Sequence, residues 1–100
     1  MITLKQNDTG IGILSTLSNE NGPVDLLGAT VLFYMGEHAI SPTAQDEING
    51  VLLVTFNSIH TVVTGLFKAE FEVKFSDGRV ETFPNDGYLQ VNIIKDLGGN

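Results

Sequence analysis

The chain has 100 residues, of which 42% are hydrophobic and 17% charged, and its formal net charge is −7. That length holds one core of ordinary domain size, and so apolar a composition excludes a disordered chain. Cysteine is absent, which excludes disulfide frameworks and thiolate chemistry.

The bases are Lys5, Lys68, Lys74, Arg79 and Lys95, scattered along the chain. Nucleic-acid binding needs clustered bases to neutralise phosphates, and an anionic membrane surface would repel this charge balance. No segment approaches the roughly 20 apolar residues of a membrane-spanning helix. The opening "MITLKQNDTG" lacks the basic region and apolar run of a signal peptide. The expectation is a protein made in the cytoplasm of the cell that encodes it.

Short runs of β-branched and aromatic residues are punctuated by Gly, Asn, Asp and Pro, at the spacing of a sandwich or barrel. In chain order the expected strands are Ile2–Gln6, Ile11–Ser18, Thr30–Met35, Gly50–Phe56, Gly65–Phe75, Arg79–Phe83 and Tyr88–Ile94. In the second, Ile11, Ile13 and Leu17 share a face and Leu14 points the other way. In "TVLFYM", Val31, Phe33 and Met35 alternate with Leu32 and Tyr34, so both faces are apolar; "VLLVTF" has the same character. Such strands are either covered on both faces or offer one face to a partner. The stretch 36–49 reads as a long loop, and Leu27 and Val62 fall in loop-like segments.

The clearest strand is "LFKAEFEVKF". Phe67, Ala69, Phe71, Val73 and Phe75 alternate with Lys68, Glu70, Glu72 and Lys74, so period two sends the first set inward and the charged set to water. Asp77-Gly78 has the chemistry of a two-residue hairpin loop. Pro84 lacks an N–H and interrupts the next ladder. "PNDG" then turns the chain before Leu89, Val91 and Ile93 face inward together, and a β-meander is expected. The tail "KDLGGN" reads as the start of a linker at 96–100, after one domain over 1–95.

Catalytic and metal-binding patterns do not emerge. His38 and His60 fall in loop-like contexts without the spacing of converging ligands. No serine lies in a G-x-S-x-G elbow. Glu70 and Glu72, flanked by Lys68 and Lys74, read as a solvated ion-pair ladder rather than as general acids. "SNENG" and "PNDG" are ordinary turn chemistry rather than calcium loops. No phosphate-cradling glycine motif occurs. No enzyme activity and no cofactor are expected.

Two stretches resemble a known family. "NGPVDLLGATVLFYM" (21–35) is similar to the G-x-P-V-D-L-T-G-A-T-V-x-F-x-M stretch of phage baseplate upper proteins. "GLFKAEFEVKFSDGRVETFPNDGYLQVNI" (65–93) resembles that family's G-x-Y-x-A-E-F-x-V-x-Y-S-D-G-x-x-x-T-F-P-x-x-G-Y stretch. With "GIGILSTL" ahead of them, the ordered likeness spans nearly the whole chain. One departure is Leu27, where the family pattern has a threonine.

The resemblance implies an immunoglobulin-like antiparallel β-sandwich of about seven strands. It further implies an N-terminal adaptor domain that docks a longer protein onto the tail-hub (distal tail) protein of a virion, several copies together, and so supports the receptor-binding proteins. The outward apolar residues Leu14, Leu27, Leu32 and Tyr34 are the expected partner-binding set, with Tyr34 the favoured aromatic anchor. The alternative is a cell-surface or carbohydrate-binding sandwich using Tyr88 and Asn85-Asp86.

Overall fold

The ten-residue strand β9 (Gly65–Lys74) organises the molecule, because three other strands pair with it. The computed structural model describes residues 1–10 and 12–97; the expectations for Ile11 and for 98–100 lie outside them. Along one side of β9 runs β5 (Thr30–Met35), antiparallel, with Phe33 opposite Phe71 and Met35 opposite Ala69. Beyond β5 lies the three-residue β6 (His38–Ile40). Along the other side, β10 (Val80–Phe83) pairs with the second half of β9 and β11 (Leu89–Ile94) with the first half. β1 (Ile2–Lys5) closes this sheet with a parallel ladder to β11.

A smaller sheet packs across it, in the order β2 (Gly12–Thr16), β8 (Val51–Thr55), β7 (Thr43–Asp46). A two-residue hairpin of β3 (Ser18–Asn19) and β4 (Gly22–Pro23) lies between β2 and β5 in sequence, and one helical turn, α1 (Ser58–Thr61), follows β8. The fold is an all-β sandwich, antiparallel except for β1 with β11.

All seven expected strands are present, and the alternation sorts them onto faces as read. Ala69, Phe71 and Val73 are buried while Lys68 and Lys74 are exposed. Phe33 and Met35 are buried, as are Leu52, Val54 and Phe56, and Val91 and Ile93. Leu17 is buried, Ile13 half-buried against the core, and Leu14 exposed. Between the sheets the Phe33 ring packs on Phe71 at 4.8 Å and edge-on to Phe56 at 6.4 Å. Aromatic pairs at such spacings contribute beyond their area burial.

Four readings are corrected. The stretch 36–49 is not a long loop: it holds β6 and β7, short strands whose sparse alternation hides them in sequence. The hairpin after β9 closes through three residues rather than two. Phe75 N–H donates to the Arg79 carbonyl, and Gly78 N–H returns to the Phe75 carbonyl; only Gly78 takes positive φ, at 91°. That is the three-residue loop with a left-handed glycine. The meander is also not simple. β11 skips β10 and continues along β9, so β10 and β11 act as one strand broken at Pro84, where the missing N–H ends the first ladder. Finally, His60 lies in α1 and His38 opens β6, so neither is a loop residue.

Gly50 shows why the small hairpin docks where it does. Its φ is 70°, and a Cβ there would lie 2.7 Å from the carbonyl oxygens of both Leu17 and Val24. Leu17 N–H donates to Gly50 O and Val24 N–H to Leu17 O, both at 2.9 Å. Three backbones therefore meet at a point that admits no side chain.

Two stability outcomes follow. Phe71→Ala lowers stability by about 3–5 kcal/mol in denaturant titration, the cost of an unfilled cavity in a packed core; an unchanged midpoint would contradict the register. Gly50→Ala costs about 1–3 kcal/mol from backbone strain alone, with the clash adding to it. Gly10→Ala, whose Cβ meets nothing within 4 Å, leaves the midpoint in place.

Candidate docking surfaces

Directly opposite residues of neighbouring strands point to the same face, so the ladders fix what each sheet shows to solvent. On the larger sheet, Leu32 lies opposite Glu72 and Tyr34 opposite Glu70, with Ala39 on the far side of Tyr34. Leu32 and Tyr34 are half-buried, as are both glutamates. This face is therefore an apolar-aromatic pair bordered by two carboxylates. Lys74 reaches Glu72 at 3.9 Å, whereas Lys68 leaves the ladder to lie over the Tyr88 ring at 5.1 Å.

The four expected partner-binding residues do not form one patch. Leu32 and Tyr34 are neighbours on the outward face of β5. Leu14, 67% exposed, faces outward from the smaller sheet beside Leu53. Leu27, 66% exposed, sits in the turn before β5, its N–H held by Asp25 Oδ1 at 2.9 Å. The adjoining Gly28 packs beside Ser76 in the β9–β10 turn, which puts Leu27 at the end of the larger sheet. Opposite sheets of a sandwich show their outer faces in opposite directions, so a flat partner contacts Leu14 or the Leu32–Tyr34 pair, not both.

An apolar group that the alternation did not single out surrounds α1. Ile59, Val62, Val63 and Leu66 are all exposed. Gln6 Nε2 donates to the Val62 carbonyl at 2.7 Å, and the buried Thr61 hydroxyl donates to the Asp8 carbonyl at 3.1 Å. These bonds tie the segment to the end of β1. Of the four apolar residues, only Val62 was noted in the sequence, as a residue of a loop-like segment; it is the C-cap of α1.

The helical turn is capped reciprocally. Ile59 N–H donates to Asn57 Oδ1, and Asn57 N–H donates to His60 Nδ1, both at 3.1 Å. The cap keeps His60 Nδ1 unprotonated. The His38 ring stands edge-on to His60 at 5.2 Å, and Phe56 is edge-on to His60 at 6.3 Å. Burial, and secondarily the neighbouring His38, hold the His60 pKa below its ordinary value of 6.5. Among the described residues, no three His, Cys, Asp or Glu side chains converge as a metal site. The Asp77 pKa is shifted as well. The Arg79 backbone N–H, then its side chain, lower the carboxyl pKa, with Arg79 Nε at 2.7 Å from Oδ2.

Two features bear on the carbohydrate alternative. Tyr88 is exposed but Lys68 covers one face of its ring. The Asn85 amide is engaged by Glu81 Oε2 and the Thr82 carbonyl, at 3.1 and 2.9 Å. Both groups are thus partly engaged within the molecule.

One cleft enters the sandwich from the side, about 350 Å³ in volume, between β2 and the break separating β10 from β11. Ser15 and Leu17 line one wall; Phe71, Phe83, Pro84 and Leu89 line the other.

The chain matches no family profile and no curated protein by sequence. In fold it matches the N-terminal domain of phage TP901-1 ORF48, with a TM-score of 0.74 at 17% identity, over 95% of this chain and 85% of that one. The two share a fold. The likeness covers both sheets rather than one supersecondary unit.

Because His60 has a lowered folded pKa, its contribution to stability is complete above pH 6.5 and is lost as pH falls through the folded value. Denaturant midpoints taken from pH 7.5 down to pH 5 should fall more steeply for the native protein than for His60→Gln. Parallel curves would show that the capped imidazole carries no proton linkage.

Proposed function

We propose that this chain is the N-terminal adaptor domain of a phage tail baseplate protein, docking a longer polypeptide to the tail hub. The observation that carries the reading is the fold likeness to an N-terminal domain of a phage protein over nearly the whole chain. The ordered motifs at 21–35 and 65–93, which resemble phage baseplate upper proteins, support it from the sequence side. The role is structural: the domain supplies a rigid scaffold and contact faces in the virion, and no catalysis.

In this reading residues 1–95 form the docking domain and 96–100 begin the linker toward the part that carries the receptor-binding proteins. Several copies surround the hub, which makes the domain a homo-oligomer in the assembled particle. We assign the hub contact to the outward face of β5, where Tyr34 and Leu32 supply apolar contact and Glu70 and Glu72 supply charge for a basic partner surface. Leu27 lies toward the rim of that face and Leu14 outside it. A net charge of −7 favours solubility before assembly.

The test is co-elution with the distal tail protein of the same phage, followed by light scattering. A stoichiometric complex is expected, weakened by Tyr34→Ala and unchanged by Leu14→Ala. Unbound components would overturn docking through this domain, and the reverse ranking of the two variants would move the contact to the smaller sheet.

A further inference from the structure

We propose that the free edge of β2 accepts an extended segment of a partner protein, apolar at alternate positions and flanked by Lys or Arg, as a fourth strand of the smaller sheet. The inference does not rest on the baseplate reading.

Three observations carry it. First, among the described residues β2 pairs with β8 on one side only, so its other side presents backbone donors and acceptors without a ladder partner there, a template for strand addition. The other exposed edges carry protection that β2 lacks. β1 ends in Lys5, β6 has three residues, β10 carries Glu81 and stops at Pro84, and β7 has a register break between Ala44 and Asp46 and carries that aspartate. β2 reads "GILST", with neither charge nor proline. Second, the 350 Å³ cleft lies beside that edge and is walled by Leu17, Phe83 and Leu89. The smaller sheet has three strands against six and stops short of the β10–β11 break. A strand laid on β2 sends its inward side chains into this space, at the period-two spacing that strands impose. Third, the chain stretches bordering the cleft, 15–20 and 81–89, hold Glu20, Glu81 and Asp86 and no Lys or Arg. The Lys68 ammonium is directed onto the Tyr88 ring, 5.1 Å from its centroid. The cleft lining itself is uncharged, so the acids of the flanking stretches and the net charge of −7 favour a segment whose bases lie outside its apolar positions.

A second cleft, about 380 Å³, opens on the β7 side against Glu47 and Ala44. Its bordering strand is the bulged one, so it serves as an internal control.

The experiment is an NMR titration of the isotope-labelled chain with an eight-residue peptide, Lys-Val-Thr-Leu-Thr-Val-Thr-Lys. Controls are its Asp-flanked counterpart and a version with Pro at the fourth position. The expected result is saturable shifts confined to 12–18 and 83–89, at least tenfold weaker affinity for the Asp-flanked peptide and none for the Pro peptide. Ser15→Phe, which fills the cleft from within, abolishes binding. Should that variant fail to fold, the surface pair Glu20→Lys with Asp86→Lys carries the test by reversing the charge preference. No saturable shift at millimolar peptide, shifts at the β7 cleft, or retained binding in folded Ser15→Phe would each overturn the proposal. So would concentration-dependent shifts at β2 without peptide, because the occupant would then be a second copy of this chain.

Discussion

The structure depends on one row of side chains. Ile40, Phe33, Phe71 and Phe83 lie opposite one another across β6, β5, β9 and β10, and all four are buried. The row sits at the middle of the larger sheet, and Phe56 reaches it from the end of β8. Each member is held in place by the ladder next to it, so the row and the register specify each other. A slip of one residue in β9 would turn Phe71 to water and put Glu70 or Glu72 inside. Burying a carboxylate without a partner costs far more than any strand gains, so that register has no close competitor.

The second constraint is the length mismatch between β9 and its partners. Ten residues of strand exceed what either β10 or β11 covers, and the two divide one side of β9 between them. Pro84 makes the division necessary. The Leu17–Gly50–Val24 junction then anchors the β3–β4 hairpin on the β8 side of β2, leaving the opposite side of β2 without a neighbour. The cleft is thus a consequence of topology: a broken strand in one sheet faces a missing strand in the other.

Much of this was legible in the sequence, and the reasons are specific. "FKAEFEVKF" alternates so cleanly that its two faces follow from period two, and the same rule put Phe33 and Met35 on one face of their strand and Val91 inward. What stayed hidden lacks a local signature. β6 and β7 are short, and β7 is exposed at every position, so no hydrophobic alternation marks it. α1 owes its single turn to a reciprocal cap between Asn57 and His60, a pairing in which histidine takes the place of the usual glutamate or glutamine. The approach of His38 to His60 spans 22 positions and exists only once β6 lies against α1. Leu14, Leu32 and Tyr34 were read as partner-binding from alternation, which reports which side of a strand a residue faces. It does not report which sheet the strand joins, and so Leu14 separated from Leu32 and Tyr34.

The parallel ladder of β1 with β11 bears on how such a domain would serve in a particle. Parallel neighbours need a long crossover, and here nearly the whole chain is that crossover, since Ile2 lies beside Val91. β11 is consequently held on both sides, by β1 and by β9, with Gln6 N–H adding a further bond to Ile94 O at 2.7 Å. Under the adaptor reading, tension enters through the residues after β11. It would act along a strand flanked by two ladders, so the load is shared by many backbone hydrogen bonds sheared together rather than peeled one at a time. In that reading the proposed contact residues, Tyr34 and Leu32, point out of the sheet from β5, two strands away from β11.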